Sequence, residues 1–159
     1  MSKIVVIGAG ASGIIASLKA SVNNEVILID GNSQCGKKLL ITGNGKCNFT
    51  NVDMHADYFS FEEDGIANQV LETMSPKDVC DYFAGLGVLN VERKGCFYPF
   101  TGQAKTIQTA LLNAMKELGV ELITNSCIGN ITAEDGKFIV HTENKHICFD
   151  SVILACGGK

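Results

Sequence analysis

The chain has 159 residues, of which 46% are hydrophobic and 19% charged, with 17 Gly, 2 Pro and a formal net charge of -4. This make-up supports one buried core and excludes a disordered, collagen-like or low-complexity chain. The acidic balance and the lack of any aromatic-interleaved Lys/Arg run argue against nucleic acid as partner.

In chain order, the β-branched run Lys3 to Ile7 ends at Gly8 and predicts a buried parallel strand. Residues 12–20 predict a short helix and 25–29 a second buried strand ending at Asp30. Strand, glycine turn, helix and strand make a right-handed crossover unit. The apolar start behind Lys3 imitates a signal peptide, but it is too short to span a bilayer and is interrupted by glycines. No other stretch reaches membrane length.

Residues 31–51 read as a long functional loop anchored only by Leu39, Leu40 and Ile41. Helices are expected over 61–74 and 75–84, the second with Ser75 as N-cap and Pro76 at its first position. Residues 88–92 predict a short strand, and 94–101 a turn-rich segment. The clearest helix is 103–118, with Ala104, Ile107, Leu111, Ala114, Met115 and Leu118 on one face and Gly119 as stop. Residues 120–124 predict a buried strand. Residues 127–132, 137–142 and 146–149 predict an antiparallel meander, turned at Asp135-Gly136 and Glu143-Asn144. A last apolar strand, 152–155, runs into Gly157 and Gly158. The expected fold is therefore α/β and Rossmann-like: a mainly parallel sheet with a three-stranded antiparallel β-meander.

Gly8-Ala9-Gly10-Ala11-Ser12-Gly13 is a G-x-G-x-x-G that closes a strand and opens a helix. The first glycine permits the turn, the second admits a pyrophosphate, and the third lets helix and strand pack closely. The helix N-terminus then presents N–H groups and its dipole to the phosphates. Asp30, at the end of the next strand, is placed to accept from a ribose hydroxyl, and its charge disfavours a 2′-phosphate. A second phosphate motif, G-x-x-x-x-G-K over 31–37, fails because Lys38 stands where a Mg²⁺-holding Ser or Thr belongs.

The seven Cys contain no C-x-x-C, which argues against a zinc ribbon, a dithiol motif and a secreted disulfide framework, and favours reduced thiols in the cytoplasm. Cys47 beside Lys46 is a candidate for a lowered thiol pKa, against a plain packing role. Cys80 reads as a small core residue. Lys77, Asp78 and Asp81 read as a solvated helix face, and Tyr98 as either a ring-stacking or a core aromatic. His141 and His146 read as an exposed cross-strand pair in preference to a metal site.

Residues 36–51, GKKLLITGNGKCNFTN, resemble the G-[RK]-K-[LI]-L-x-[ST]-G-x-G-[RK]-C-N-x-T-N signature of the BaiN/YhiN-like flavoproteins. These are aminoacetone-oxidase-like, NAD(P)/FAD-dependent oxidoreductases. GCFYPF over 95–100 and ILACGG over 153–158 are similar to that family's G-x-x-[FY]-P and I-x-A-[TC]-G-G segments. The resemblance implies FAD in an extended form. Gly8, Gly10, Ala11, Ser12 and Gly13 would meet its pyrophosphate, and Asp30 its ribose. Lys37, Lys38, Thr42 and Gly43 would run along it, with Gly45, Cys47 and Asn48 nearer the flavin. Cys127 and Ile128 would meet adenine, while Ala155, Cys156 and Gly157 close over the pyrophosphate.

Members of that family continue into a substrate domain and then return to complete the flavin site. The whole chain, 1–159, is therefore expected to be the FAD/NAD(P)-binding part, roughly the first two fifths of such an enzyme. The implied chemistry of a complete member is hydride transfer through FAD, with NAD(P)H or an organic molecule as donor and a small molecule as substrate. Self-association through surface meant for the remainder is the corresponding expectation. Two other readings stay open: a non-catalytic nucleotide-binding piece, and the NAD-binding domain of an ordinary dehydrogenase.

Overall fold

The computed structural model describes residues 1–59, 66–143 and 145–158. The start of the helix expected over 61–74, and Asn144 of the second meander turn, lie outside them. In chain order the elements are β1 Lys3–Ile7, α1 Ala11–Ala20, β2 Glu25–Ile29, β3 Thr50–Asn51, α2 Ile66–Thr73, α3 Pro76–Gly85, β4 Asn90–Arg93 and β5 Cys96–Pro99. There follow α4 Ala104–Glu117, β6 Glu121–Ile123, β7 Ile128–Glu134, β8 Lys137–Thr142, β9 His146–Phe149 and β10 Ser151–Leu154. They form two compact units, one of Met1–Leu39 with Leu111–Lys159, the other of Leu40–Ala110.

The first unit is built on a parallel sheet ordered β10-β1-β2-β6. The inner strands β1 and β2 read as continuous apolar runs because both of their faces are covered. On one face Val5, Ile7, Ile27 and Ile29 pack with Val140 and Phe149 of the meander β7-β8-β9, ringed by Ile123, Ile128, Ile131, Ile147 and Val152. Each buried side chain there contributes about 1.5–3 kcal/mol. Alternation sends Val6, Val26 and Leu28 to the other face, and α1 packs on β1 and β2 through Ile14 and Leu18. The Asp135-Gly136 turn forms as expected, both residues at positive φ (48° and 74°).

The second unit holds an antiparallel sheet ordered β3-β5-β4. Phe49 and Phe83 pack there with their rings tilted by 53°, 4.9 Å between centroids. The expected N-cap forms in full: Ser75 Oγ accepts from the Asp78 N–H, and the Asp78 carboxylate accepts from the Ser75 N–H. Lys77 pairs with Asp81 on the exposed face of α3, and Cys80 is buried.

Four sequence expectations need correction. Residues 94–101 are not merely turns, because β5 is the central strand of its sheet. Lys94 and Gly95 take positive φ (54° and 82°) and close a β4–β5 hairpin, while Pro99 sits at the strand end where its missing donor costs least. Residues 120–124 do not form a buried strand: β6 is an edge strand whose Glu121 and Leu122 face solvent. In α4 the buried face is Ala104, Ile107, Leu111, Ala114 and Met115, joined by Gln108, while Leu118 is exposed. Finally, Ile41 does not anchor the long loop, since it is 72% exposed; the buried residues there are Cys35, Gly36, Cys47 and Thr50.

Candidate functional site

The three glycines of the β1–α1 turn fall into two kinds. Gly8 has φ +103°, and a Cβ on it would stand 2.4 Å from the Ala155 carbonyl oxygen. A Cβ on Gly13 would lie 1.8 Å from the Gly8 carbonyl oxygen and 3.3 Å from the Ala155 Cβ. Both positions are therefore glycine because strand, helix and the 155–157 segment pass too close for a side chain. Gly10 differs: its φ is ordinary at -79°, and beyond its own chain neighbours no atom lies within 4 Å of where its Cβ would be. Gly10 is also the N-cap of α1, and no side chain caps the helix there. Ala11 and Ser12 are exposed in the first turn. The positive end of α1 thus opens onto free space beside a residue with no side chain.

Asp30 sits one residue past β2 and organises the loops around that opening. Its Oδ2 accepts from the Ala9 N–H at 2.6 Å. Its Oδ1 accepts from the Asn32 N–H at 2.7 Å and the Asn32 amide at 2.8 Å. A carboxylate offers about four lone-pair directions, so one, on Oδ2, is left for a further donor such as a hydroxyl. Burial acts to raise its pKa, but the Asn32 and Ala9 hydrogen bonds outweigh it and hold the carboxyl below its ordinary value of 3.8. Asp78 and Asp150 are held low as well, by hydrogen bonds with Ser75 and with Lys137 and the Lys3 N–H.

A depressed folded-state pKa contributes stability that is complete above the unfolded value and is lost as pH falls through the folded one. The thermal midpoint should thus hold steady from pH 7 to about 5 and fall steeply below about 4. Asp30→Asn should blunt that fall, which calorimetry across pH 2.5–7 (about six steps) would measure. A midpoint that climbs on acidification would contradict the assignment.

Beyond the C-terminal ends of β1, β2 and β10 lies a cleft of about 640 Å³. A cleft of that size suits a small-molecule ligand. Ile7, Ile29, Ile128 and Leu154 give it apolar surface, while Asp30, Asn32, Ser126 and Asn130 supply polar groups. The sheet order reverses between β1 and β10, and the cleft meets the ends of both strands, where open α/β sheets take ligands. The meander starts at the cleft with a register irregularity between Ile128 and Asn130, which leaves Gly129 on its wall.

Of the residues singled out from sequence, Gly8, Asp30, Cys127, Ile128 and Cys156 line this cleft. Cys127 precedes the meander strand instead of lying on it. Gly10, Ala11, Ser12 and Gly13 open α1, and the Ala155 N–H extends the sheet by donating to the Ile7 carbonyl at 2.8 Å. Gly157 follows at φ +80°. The Gly36 N–H donates to the Ala9 carbonyl at 2.7 Å, which ties the long signature to the glycine turn, and Lys37 and Lys38 follow exposed. Sequence reasoning missed Asn32 and Ser126. Asn32 receives the Asn125 N–H on its carbonyl, and Ser126 donates its N–H to the Asp30 carbonyl. The Asp-Gly-Asn run is the available signal, because such residues hydrogen-bond backbone two positions away.

Thr42, Gly43, Gly45, Cys47 and Asn48 belong to the other unit. The Thr42 carbonyl accepts from the Gly45 and Cys47 N–H groups, and Gly43, Asn44, Gly45 and Cys47 all take positive φ. A Cβ on Gly43 would stand 2.8 Å from the Asn48 nitrogen. Cys47 is buried, and burial pushes its thiol up despite a hydrogen bond with Thr42, so it lacks the lowered pKa anticipated beside Lys46. His141 and His146 do register as cross-strand partners, Nδ1 to Nδ1 at 2.7 Å, and His141 Nε2 meets Thr132 Oγ1 at 3.0 Å.

The parallel sheet, glycine turn, uncapped helix and switch-point cleft define a Rossmann domain. The chain belongs to the HI0933-like family, whose Rossmann-domain model matches residues 2–159. It is 33% identical over its full length to the 3-dehydro-bile acid delta(4,6)-reductase of Clostridium scindens, covering 40% of that protein. It is 23% identical over 97% of its length to the ribosomal RNA dihydrouridine synthase of Escherichia coli, covering 39% of it. The chain thus spans about two fifths of these relatives. Among solved structures it resembles the Diels-Alderase PyrE3 of pyrroindomycin biosynthesis, with TM-score 0.62, 10% identity, and coverage of 99% of this chain and 32% of that one. It also resembles CtdE solved with FAD and a substrate, with TM-score 0.56, 12% identity, and coverage of 99% and 38%. These two likenesses concern the fold. Among the described residues, no helix is long and apolar enough to cross a membrane.

Proposed function

We propose that the chain is the FAD-binding portion of a flavoprotein oxidoreductase, with the adenosine half of the cofactor in the cleft and its pyrophosphate at the start of α1. The observation that carries this reading is Gly10, whose missing side chain answers to no neighbour in the fold. A diphosphate approaching the bare N-terminus of α1 accounts for it. In this reading the backbone of Gly8, Gly10, Ala11, Ser12 and Gly13 holds the pyrophosphate, and Lys37 and Lys38 offset its charge. The free Oδ2 direction of Asp30 takes a ribose hydroxyl, and Cys127 and Ile128 border adenine. Ala155, Cys156 and Gly157 close the phosphate side.

Bound FAD would supply the two-electron carrier, and these residues position it. The full-length protein would move hydride between NAD(P)H or an organic donor and a small-molecule acceptor, in the cytoplasm. The reductase name of the Clostridium scindens relative agrees with that. Residues beyond this part would complete the substrate pocket, and self-association is the proposed behaviour of the part alone.

The test is a visible absorption spectrum of the purified chain after loading with FAD and gel filtration. Retained flavin bands are expected. Gly10→Ala should fold, at a capping cost of about 1 kcal/mol or less, yet lose the bands. Melting shifts with ADP, NAD and FAD rank the ligands by mass action, with FAD expected to raise the midpoint most. A wild-type chain that stays colourless and shows no shift with any of the three would overturn the proposal.

A further inference from the structure

The surroundings of the seven cysteines separate them. Cys35, Cys47 and Cys80 are buried, and burial raises all three thiols, Cys35 to about 11 with the nearby Asp30 charge adding to it. Cys96 is half-buried and its Sγ accepts from the Asn51 amide at 3.3 Å. Three are exposed: Cys127, Cys148 and Cys156. Two of those three line the same cleft, and the third lies on β9 away from its lining.

Their placement within the cleft is specific. The Cys127 Sγ lies over Gly31, 3.4 Å from where a Cβ would stand, and Gly31 is the residue next to Asp30. The preceding residue, Ser126, donates its N–H to the Asp30 main-chain carbonyl, which fixes the backbone leading into Cys127 against the 30–31 turn. The Cys156 Sγ is 3.6 Å from the Ile7 carbonyl, at the β1 side. Both sulfurs belong to residues that line the space a nucleotide would need.

We infer that Cys127 and Cys156 form a thiol gate on this nucleotide cleft: a mixed disulfide on either excludes the nucleotide, and the bound nucleotide shields both. The inference rests on the nucleotide-binding reading above. The co-reactant is a low-molecular-weight disulfide such as oxidised glutathione. The Cys127 thiolate attacks one of its sulfurs, the glutathione S–S bond breaks, and a new S–S bond forms to Sγ. The second glutathione leaves as a thiolate and takes up the proton that Cys127 released. The protein sulfur is oxidised, the departing glutathione is reduced, and a thiol reductant reverses the step.

The experiment treats the reduced 159-residue chain with oxidised glutathione, locates adducts by peptide mass spectrometry, and titrates ADP calorimetrically before and after. Treated protein should carry glutathione on Cys127 and Cys156 and bind ADP at least tenfold more weakly, with dithiothreitol restoring affinity. Saturating ADP should slow modification of Cys127 and Cys156 but not of Cys148. Treatment should leave the ADP affinity of the Cys127→Ser/Cys156→Ser double variant equal to that variant's own untreated value, while Cys148→Ser should lose affinity on treatment as wild type does. Modified protein that binds ADP unchanged, or labelling at Cys127 indifferent to ADP, would overturn the gate alone. Reduced wild-type protein that does not bind ADP would overturn the nucleotide reading and the gate with it.

Discussion

Gly13→Ala should lower the stability of the chain by about 3 kcal/mol, the upper end of the usual cost of overpacking, and is the most disruptive single-methyl change expected in the glycine turn. The added carbon would sit 1.8 Å from the Gly8 carbonyl oxygen, a backbone atom with nowhere to retreat. Gly8 is pinned from behind, because its N–H donates to the Ile29 carbonyl at 2.8 Å and its own vacant Cβ position faces the Ala155 carbonyl. Relief therefore requires α1 to move off β1 and β2, which uncovers Ile14 and Leu18. Urea unfolding followed by circular dichroism would measure the loss, with Gly10→Ala as the partner variant. A Gly13→Ala protein as stable as wild type would show that α1 does not cross β1 this closely. Equal damage from both substitutions would contradict the division of labour between a packing glycine and a ligand-facing one.

The second large effect is expected at Asp30. Asp30→Asn keeps the shape but exchanges a charged acceptor for a neutral amide, and one of its two heavy atoms becomes a donor. Whichever way the amide turns, either the Ala9 N–H or the two Asn32 donors lose their acceptor. A lost hydrogen bond to a charged group costs about 1.5–3 kcal/mol, so about 2 kcal/mol of stability should go, the Asn32 side being exposed. Affinity for ADP should fall by about tenfold to a hundredfold as the remaining Oδ2 direction no longer meets a ribose hydroxyl as an anion. Asp78→Asn, in the α3 capping box of the other unit, should cost stability without touching ADP affinity. Calorimetric titration of the three proteins separates the effects. Wild-type ADP affinity in Asp30→Asn would remove the ribose role, and unchanged stability would remove the turn-organising one.

Most of the first unit could be read in one dimension. Lys3–Ile7 and Glu25–Ile29 were legible to the residue because strands covered on both faces carry unbroken apolar runs. The meander was legible from alternation and from an Asp-Gly turn. Glycine spacing and an acid at the end of the second strand marked the opening of α1 and the corner of the cleft. The second unit was less legible. Its sheet joins Thr50–Asn51 to a hairpin more than forty residues on, through a strand that carries a proline, and neither partner has a pattern of its own.

What the sequence by itself determined is thus the local part: the runs, the turns that demand positive φ, the α3 cap, and the order strand–glycine turn–helix–strand. Those follow from backbone sterics and side-chain period within a few residues. Only the tertiary structure decided that β6 is an edge, that Asn32 and Ser126 lock Asp30 in place, and that two of the three exposed thiols border one cleft. It also decided which glycines are empty for packing, because that depends on what stands within 4 Å, and at Gly8 and Gly13 the neighbours include Ala155, more than a hundred residues away.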